Sequence, residues 1–176
     1  MMLHVIEPYS LEKNIGKAYN DAFKHYDSND WICLKDHDAM FLLPDTIRHI
    51  HEYTLLYPRT GIFVCYTNRL ANRDQLLTDR CDNNDSIRHH IGLAKQQERK
   101  LYETTLLYKP VSGVLMVIKK STWDKVKFNE VGCLGVDNDY HLRVVEAGFE
   151  VLRMNGVYIW HSYRLINGTQ DKSHLV

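Results

Sequence analysis

Asp36-His37-Asp38 interrupts two apolar runs in "WICLKDHDAMFLLPD" and is the first place in the chain where residue types point to chemistry. Carboxylates two residues apart in extended backbone point the same way. Their repulsion is costly unless a cation or water relieves it. Hard oxygen donors of this kind suit Mg²⁺ or Mn²⁺, commonly held by one or two carboxylates together with substrate phosphates. The plain alternative is a polar loop in which an aspartate caps a turn. A second group, Asp137-Asn138-Asp139, fits a helix N-terminus, where capping and the helix dipole favour acids. Asp139 and Arg143 are spaced to pair along that helix. Capping leaves Asp137 free for a second role as acceptor of a proton from a bound hydroxyl. His161 ends the apolar run "VYIW". A lone histidine there is structural in most proteins, and it reaches the same sheet edge only if its strand is parallel to the others. His49, His51, His89 and His90 fall on polar or helical stretches and read as solvated.

These groups need a scaffold, and the apolar pattern supplies one. "LHVIEPY" reads as a strand closed by Pro8, with Ser10 as the cap of the helix that follows. Ile15, Ala18, Tyr19, Ala22, Phe23 and Tyr26 recur at helical spacing and form a stripe that packs on a sheet. Trp31 to Leu34 are apolar on successive residues, the pattern of a central strand buried on both faces. A helix over about 45–57, a buried strand over Gly61 to Thr67 and a charged helix from Asp85 or Ser86 to about Tyr102 follow. Residues 68–84 are polar and carry no clear period. "VSGVLMVIKK" is a strand, and Ser121 caps a short helix around Trp123. Asp137 to Asp139 open a helix that Gly148 closes. "FEVLRM" and "VYIWHSY" read as two last strands, and the tail after Arg164 is polar. Alternating strands and helices predict an α/β protein with a mixed, mostly parallel central sheet flanked by helices. In such sheets ligands collect beyond the carboxyl ends of the strands, where Asp36, Asp38 and His161 would lie. Without repeat, linker or low-complexity segment, residues 1–176 read as one compact domain.

Composition narrows the function. Lys plus Arg and Asp plus Glu are 22 each, so the basic surplus typical of nucleic-acid binders is missing. The cysteines Cys33, Cys65, Cys81 and Cys133 are far apart and form no CxxC pair, which reads as reduced, structural thiols in a cytoplasmic protein. The N-terminal "MMLHVIEPYS" is not a signal peptide, and no apolar run reaches the roughly 20 residues that span a bilayer. Oligomeric state leaves no mark in the sequence.

The motifs in order are a strand, a helix carrying N-x-G-x-A-x-N, an apolar strand ending in DxD and "LPD" opening a helix. An S-G strand with "KK" and a Trp, a G-x-D-x-D-x-x-x-R-x-x-x-A-G helix and a strand ending in His complete the series. From about residue 4 to 164 this order resembles the family 2 glycosyltransferases of the GT-A fold. The resemblance implies that Asn14, Gly16, Lys17 and Asn20 line the nucleotide end of the site. It implies that Asp36 and Asp38 bind a divalent cation and the donor diphosphate, with Asp38 favoured as the direct ligand and His161 assisting. Ser112 and Gly113 would lie beside the donor sugar, and Asp137 would be the catalytic base. The implied activity is metal-dependent transfer of a sugar from a UDP- or GDP-type nucleoside-diphosphate sugar to a glycan, lipid or other hydroxyl acceptor, with Mn²⁺ or Mg²⁺ and with inversion. Where the family carries further strand-and-helix units before the N-x-G helix, "EPYSLEKNIG" passes straight from strand to helix. How a nucleotide base is held is therefore open. The same acids also suit a metal-dependent phosphoesterase or nucleotidyl enzyme, and the fold also suits a non-catalytic nucleotide-sugar-binding module.

Overall fold

The computed structural model describes residues 1–131 and 134–163. A seven-stranded mixed sheet carries the elements, in the order β1-β2-β6-β4-β7-β3, with β5 pairing to β7 off that path. The strands are β1 Leu3–Ile6, β2 Trp31–Lys35, β3 Ala39–Phe41, β4 Thr60–Thr67, β5 Thr104–Leu106, β6 Leu115–Lys119 and β7 Glu150–His161. The helices are α1 Ile15–Phe23, α2 Thr46–Leu56, α3 Ile87–Gln97, α4 Lys120–Lys125 and α5 Val136–Glu146. The fold is thus α/β, as the alternation of elements predicts.

Strand direction decides where a site can form. β1 pairs parallel to β2 and β4 parallel to β7, while β6 is antiparallel to both β2 and β4. Consequently β1, β2, β4 and β7 run one way, and β6, β3 and β5 run the other. The carboxyl ends of the first group and the amino ends of β3 and β6 meet at one edge. Glu7, Asp36, Asn68 and His161 all fall there, and so does Gly113.

β2 shows why the unbroken apolar run belongs in the middle of the sheet. Ile32 and Leu34 face a core with Tyr19 and Phe23 of α1 and Val136, Tyr140 and Val144 of α5. Trp31 and Cys33 face the opposite core with Ile50 and Tyr53 of α2. Each large side chain buried this fully stabilises the fold by roughly 1.5–3 kcal/mol.

Several local expectations change. Asn14, not Ser10, caps α1, since its side chain accepts from the Lys17 N–H at 3.0 Å; Ser10 Oγ instead accepts from the Asn14 N–H at 3.0 Å. Ser121 lies inside α4 rather than at its cap. The two last strands are one continuous strand, β7, although its register with β4 shifts between Met154 and Tyr158, around Gly156. The short strands β3 and β5 have too few residues to show a period in sequence. Ser86 does cap α3, and Gly148, at φ +85°, takes the left-handed conformation expected where α5 stops. Cys33 and Cys65 are buried free thiols and Cys81 is a half-buried one; Cys133 and the tail from 164 lie outside the described residues. No helix among the described residues is long and apolar enough to cross a membrane.

Candidate functional site

Asp36-His37-Asp38 sits in a reverse turn between β2 and β3, closed by the Ala39 N–H donating to the Asp36 carbonyl at 3.0 Å. The acids therefore converge because the chain reverses, not because the backbone is extended as the spacing argument supposed. Neighbours fix the turn from three sides. Asp36 N–H donates to Val114 O at 3.0 Å, and Ser162 N–H donates to Asp38 O at 2.9 Å. Beneath it the nearly buried Lys35 ammonium donates to the carbonyls of Asp36 and Ala39, each at 2.8 Å, and pairs with Glu7 at 2.5 Å.

Asp36, Asp38 and His161 each offer one donor atom, and the three atoms all lie within 4.8 Å of one another. Asp38 Oδ1 and His161 Nε2 are 3.3 Å apart. That spacing matches adjacent ligands of one cation, since two bonds of about 2.1 Å at a right angle separate their ends by about 3 Å. The His161 Nδ1 lies 2.8 Å from the Arg69 carbonyl, an acceptor. A proton on Nδ1 meets that acceptor, and the ring orientation this sets turns Nε2 toward Asp38 and the cluster. Burial, with the nearby charges of Asp38 and Asp137, pushes the Asp36 carboxyl up to about 6, while His161 opposes the shift. Carboxylate oxygens and one imidazole nitrogen are a donor set that fits Mn²⁺ or Mg²⁺.

Asp137 joins this cluster across the same cleft. Its Oδ2 accepts from the Gly113 N–H at 2.6 Å. A methyl group at position 113 would come 3.1 Å from Asp137 Cβ, so the close approach depends on glycine there. Asp137 is not the helix cap; Gly135 is, and Asp137 occupies the first turn, where the helix dipole still favours its charge. Asp139 turns outward and pairs with Arg143, Oδ2 to Nη2 at 2.6 Å, as the i, i+4 spacing predicts. The cleft measures about 560 Å³ and is lined by Asp36, Asp38, Asp137, Ser112, Gly113 and His161, among others. A second cavity of about 540 Å³, with Glu7, Tyr9, Lys13 and Lys35 in its wall, adjoins it. Tyr19, Asp36 and His37 border both. Burial and the charges of Asp36 and Asp137 raise the Tyr19 phenol, which therefore stays protonated.

Asn14, Gly16, Lys17 and Asn20 are not brought to this cleft. Asn14 Nδ2 donates to Glu130 O at 2.8 Å. A Cβ on Gly16 would stand 1.9 Å from Asn129 O. Asn20 donates to Phe128 O at 2.9 Å and Glu130 at 2.8 Å, and accepts from Trp123 Nε1 at 2.9 Å and Phe128 N at 3.0 Å. Lys17 pairs with Asp21 on the surface. Asn14, Gly16 and Asn20 hold α1 against residues 128–130, and α1 in turn presents Ile15 and Tyr19 to the cleft.

The residues that sequence reasoning passed over are the ones that hold the site in place. Lys35 is one. Asn68 and Gln75, both buried, are others: Gln75 accepts from Ser112 N at 2.8 Å and donates to Ser112 O at 3.2 Å. Two histidines read as solvated, His49 and His90, are in fact buried. His90 uses both ring nitrogens, on Tyr158 OH at 2.8 Å and on Asn84 O at 2.6 Å. Asp82, His89 and His90 also cluster. However, His89 Nε2 and Asp82 Oδ2 are 2.6 Å apart, the length of a direct hydrogen bond rather than of two ligands around an ion.

Fold and site together define an α/β protein with a carboxylate–imidazole cluster and a further aspartate at the strand-end edge of its sheet. No protein-family model matches the chain, and no curated protein is significantly similar to it.

Proposed function

We propose that the chain is a metal-dependent glycosyltransferase that moves a sugar from a nucleoside-diphosphate sugar to an acceptor hydroxyl. The observation that carries this reading is the clustering of donor atoms from Asp36, Asp38 and His161 within 4.8 Å of one another, with Asp137 in the same cleft. Asp36, Asp38 and His161 hold the cation; Mn²⁺ suits the imidazole better than Mg²⁺ does. When bound, the cation supplies positive charge opposite the departing diphosphate. Asp137, held by the Gly113 N–H, accepts the acceptor's proton as its oxygen bonds to the anomeric carbon and the carbon–oxygen bond to the diphosphate breaks. Inversion at that carbon follows from attack opposite the leaving group. The adjoining cavity gives a donor of UDP or GDP type room beyond the acids, and the Tyr19 phenol is a donor at the junction. Free, buried thiols support a cytoplasmic setting.

The test is a thermal-shift screen of nucleoside diphosphates and their sugars with and without Mn²⁺, followed by product analysis. Sugar transferred to an acceptor supports the proposal. Release of inorganic phosphate or pyrophosphate instead identifies a phosphoesterase or nucleotidyl enzyme, and binding without turnover identifies a binding module.

A further inference from the structure

We propose that Asn68 and Arg69 are positioning residues that hold His161 in the orientation and tautomer a cation requires; this rests on the reading of His161 as a ligand. Both residues follow β4 directly, past its last pairing with β7, Thr67 to Ile159. There the buried Asn68 side chain takes over the work of a strand. Its Oδ1 accepts from the His161 N–H at 2.7 Å, and its Nδ2 donates to the His161 carbonyl at 3.1 Å.

Arg69 acts twice. Its carbonyl accepts from His161 Nδ1 at 2.8 Å, and its Nη1 donates to the next carbonyl along β7, that of Ser162, at 3.3 Å. The rest of the guanidinium donates to Asn83, at 3.3 Å, and to Asp85. The Arg69 side chain is 0% exposed while its acidic partner Asp85 is 58% exposed. Burying a guanidinium is costly and an apolar side chain of similar volume fills space as well. Its position is explained by what it fixes: the path of the chain at His161 and Ser162, just where Ser162 N–H donates to Asp38 O at 2.9 Å. With Nδ1 committed to Arg69, Nε2 is left to face Asp38 Oδ1 at 3.3 Å. Outer partners of this kind orient ligating histidines and fix their tautomer.

Arg69→Met removes the guanidinium but keeps a side chain of similar length, and its acidic partner Asp85 is more than half exposed, so the fold should persist; Asn68→Ala is the second variant. Two readouts are taken on folded protein: Mn²⁺ affinity by electron paramagnetic resonance, and the His161 tautomer by ¹⁵N chemical shift in metal-free protein. The expected result is Mn²⁺ binding weakened by about 10–100-fold in variants that stay folded at a lowered melting temperature, and a His161 ring that shifts from Nδ1–H toward a mixture. Wild-type affinity together with an unchanged tautomer in either folded variant overturns the positioning role. If the wild type itself binds no Mn²⁺, the ligand reading falls, while the tautomer of the metal-free variants still decides whether Asn68 and Arg69 orient the ring.

Discussion

The Asp137 carboxylate and the backbone N–H of Gly113 are joined by a 2.6 Å hydrogen bond, which ties the first turn of α5 to the start of β6 across the cleft. The Asn138 N–H donates to the other oxygen at 2.9 Å, so both oxygens are held on backbone donors beside the space that Asp36, Asp38 and His161 also line.

Asp137→Asn keeps the shape and removes the proton acceptor. Sugar transfer should fall by about 10²–10⁴-fold, the usual contribution of a positioned base, with nucleotide binding retained. Steady-state turnover beside calorimetric binding checks both halves, and a fully active variant removes Asp137 from the mechanism.

Gly113→Ala tests the same bond from the other side. Its methyl would press on Asp137 at 3.1 Å from Cβ. Turnover should drop well before thermal stability does, because the strand can yield by a few tenths of an ångström but the acid then moves. Equal turnover in the two proteins would show that the close approach carries no catalytic weight.

Asp38→Ala should abolish the Mn²⁺ dependence of nucleotide binding in calorimetry. Nucleotide affinity that still rises with added Mn²⁺ would exclude Asp38 as a ligand.

Lys35→Met leaves the carbonyls of Asp36 and Ala39 without the ammonium that now bridges them. Hydrogen bonds to charged groups contribute about 1.5–3 kcal/mol each, so a stability loss of roughly 2 kcal/mol is expected in urea unfolding. Weaker Mn²⁺ binding should accompany it, as the turn carrying both acids loosens.

His90 and His141 should cost the protein stability below about pH 6.5, against Asp36, whose raised pKa works in the opposite direction there. Burial is the main cause that lowers the pKa of His90 and His141 from 6.5. The unfolded chain therefore takes up protons first, and stability present above 6.5 is lost as pH falls toward the folded values. His141 is fully buried, and neither ring nitrogen has a hydrogen-bond partner among the described residues. His141→Leu should raise the melting temperature at pH 5.5 more than at pH 8 and flatten the profile between them. An equal shift at both values would contradict this.

The sheet and its main helices were legible because Trp31 to Leu34 and the Ile15–Phe23 stripe announce their burial by composition and period. Asp36, Asp38 and His161 were legible because strand ends have a known place in such sheets, and Asp137 because acids collect at helix N-termini. The supports were not. Asn68, Arg69 and Gln75 lie in a polar stretch without period, and the side-chain amides imitate strand pairing there, a role that depends on what is nearby in space rather than in sequence. Asn14, Gly16 and Asn20 drew attention as a motif, yet their contacts are with residues 128–130, more than a hundred positions away. Lys35 was passed over because nothing local reveals that its ammonium would be enclosed by a turn.

His161 ends the strand that pairs with β3, β4 and β5 alike. Segments tied on several sides release their amide protons to solvent only in the rarest openings. In deuterium exchange, β7 should be among the last parts of the chain to label, and the slow front should reach the imidazole's own residue. The histidine would then serve as the stationary reference of the cluster, and any adjustment to cations of different radius would fall to the two aspartates on the turn.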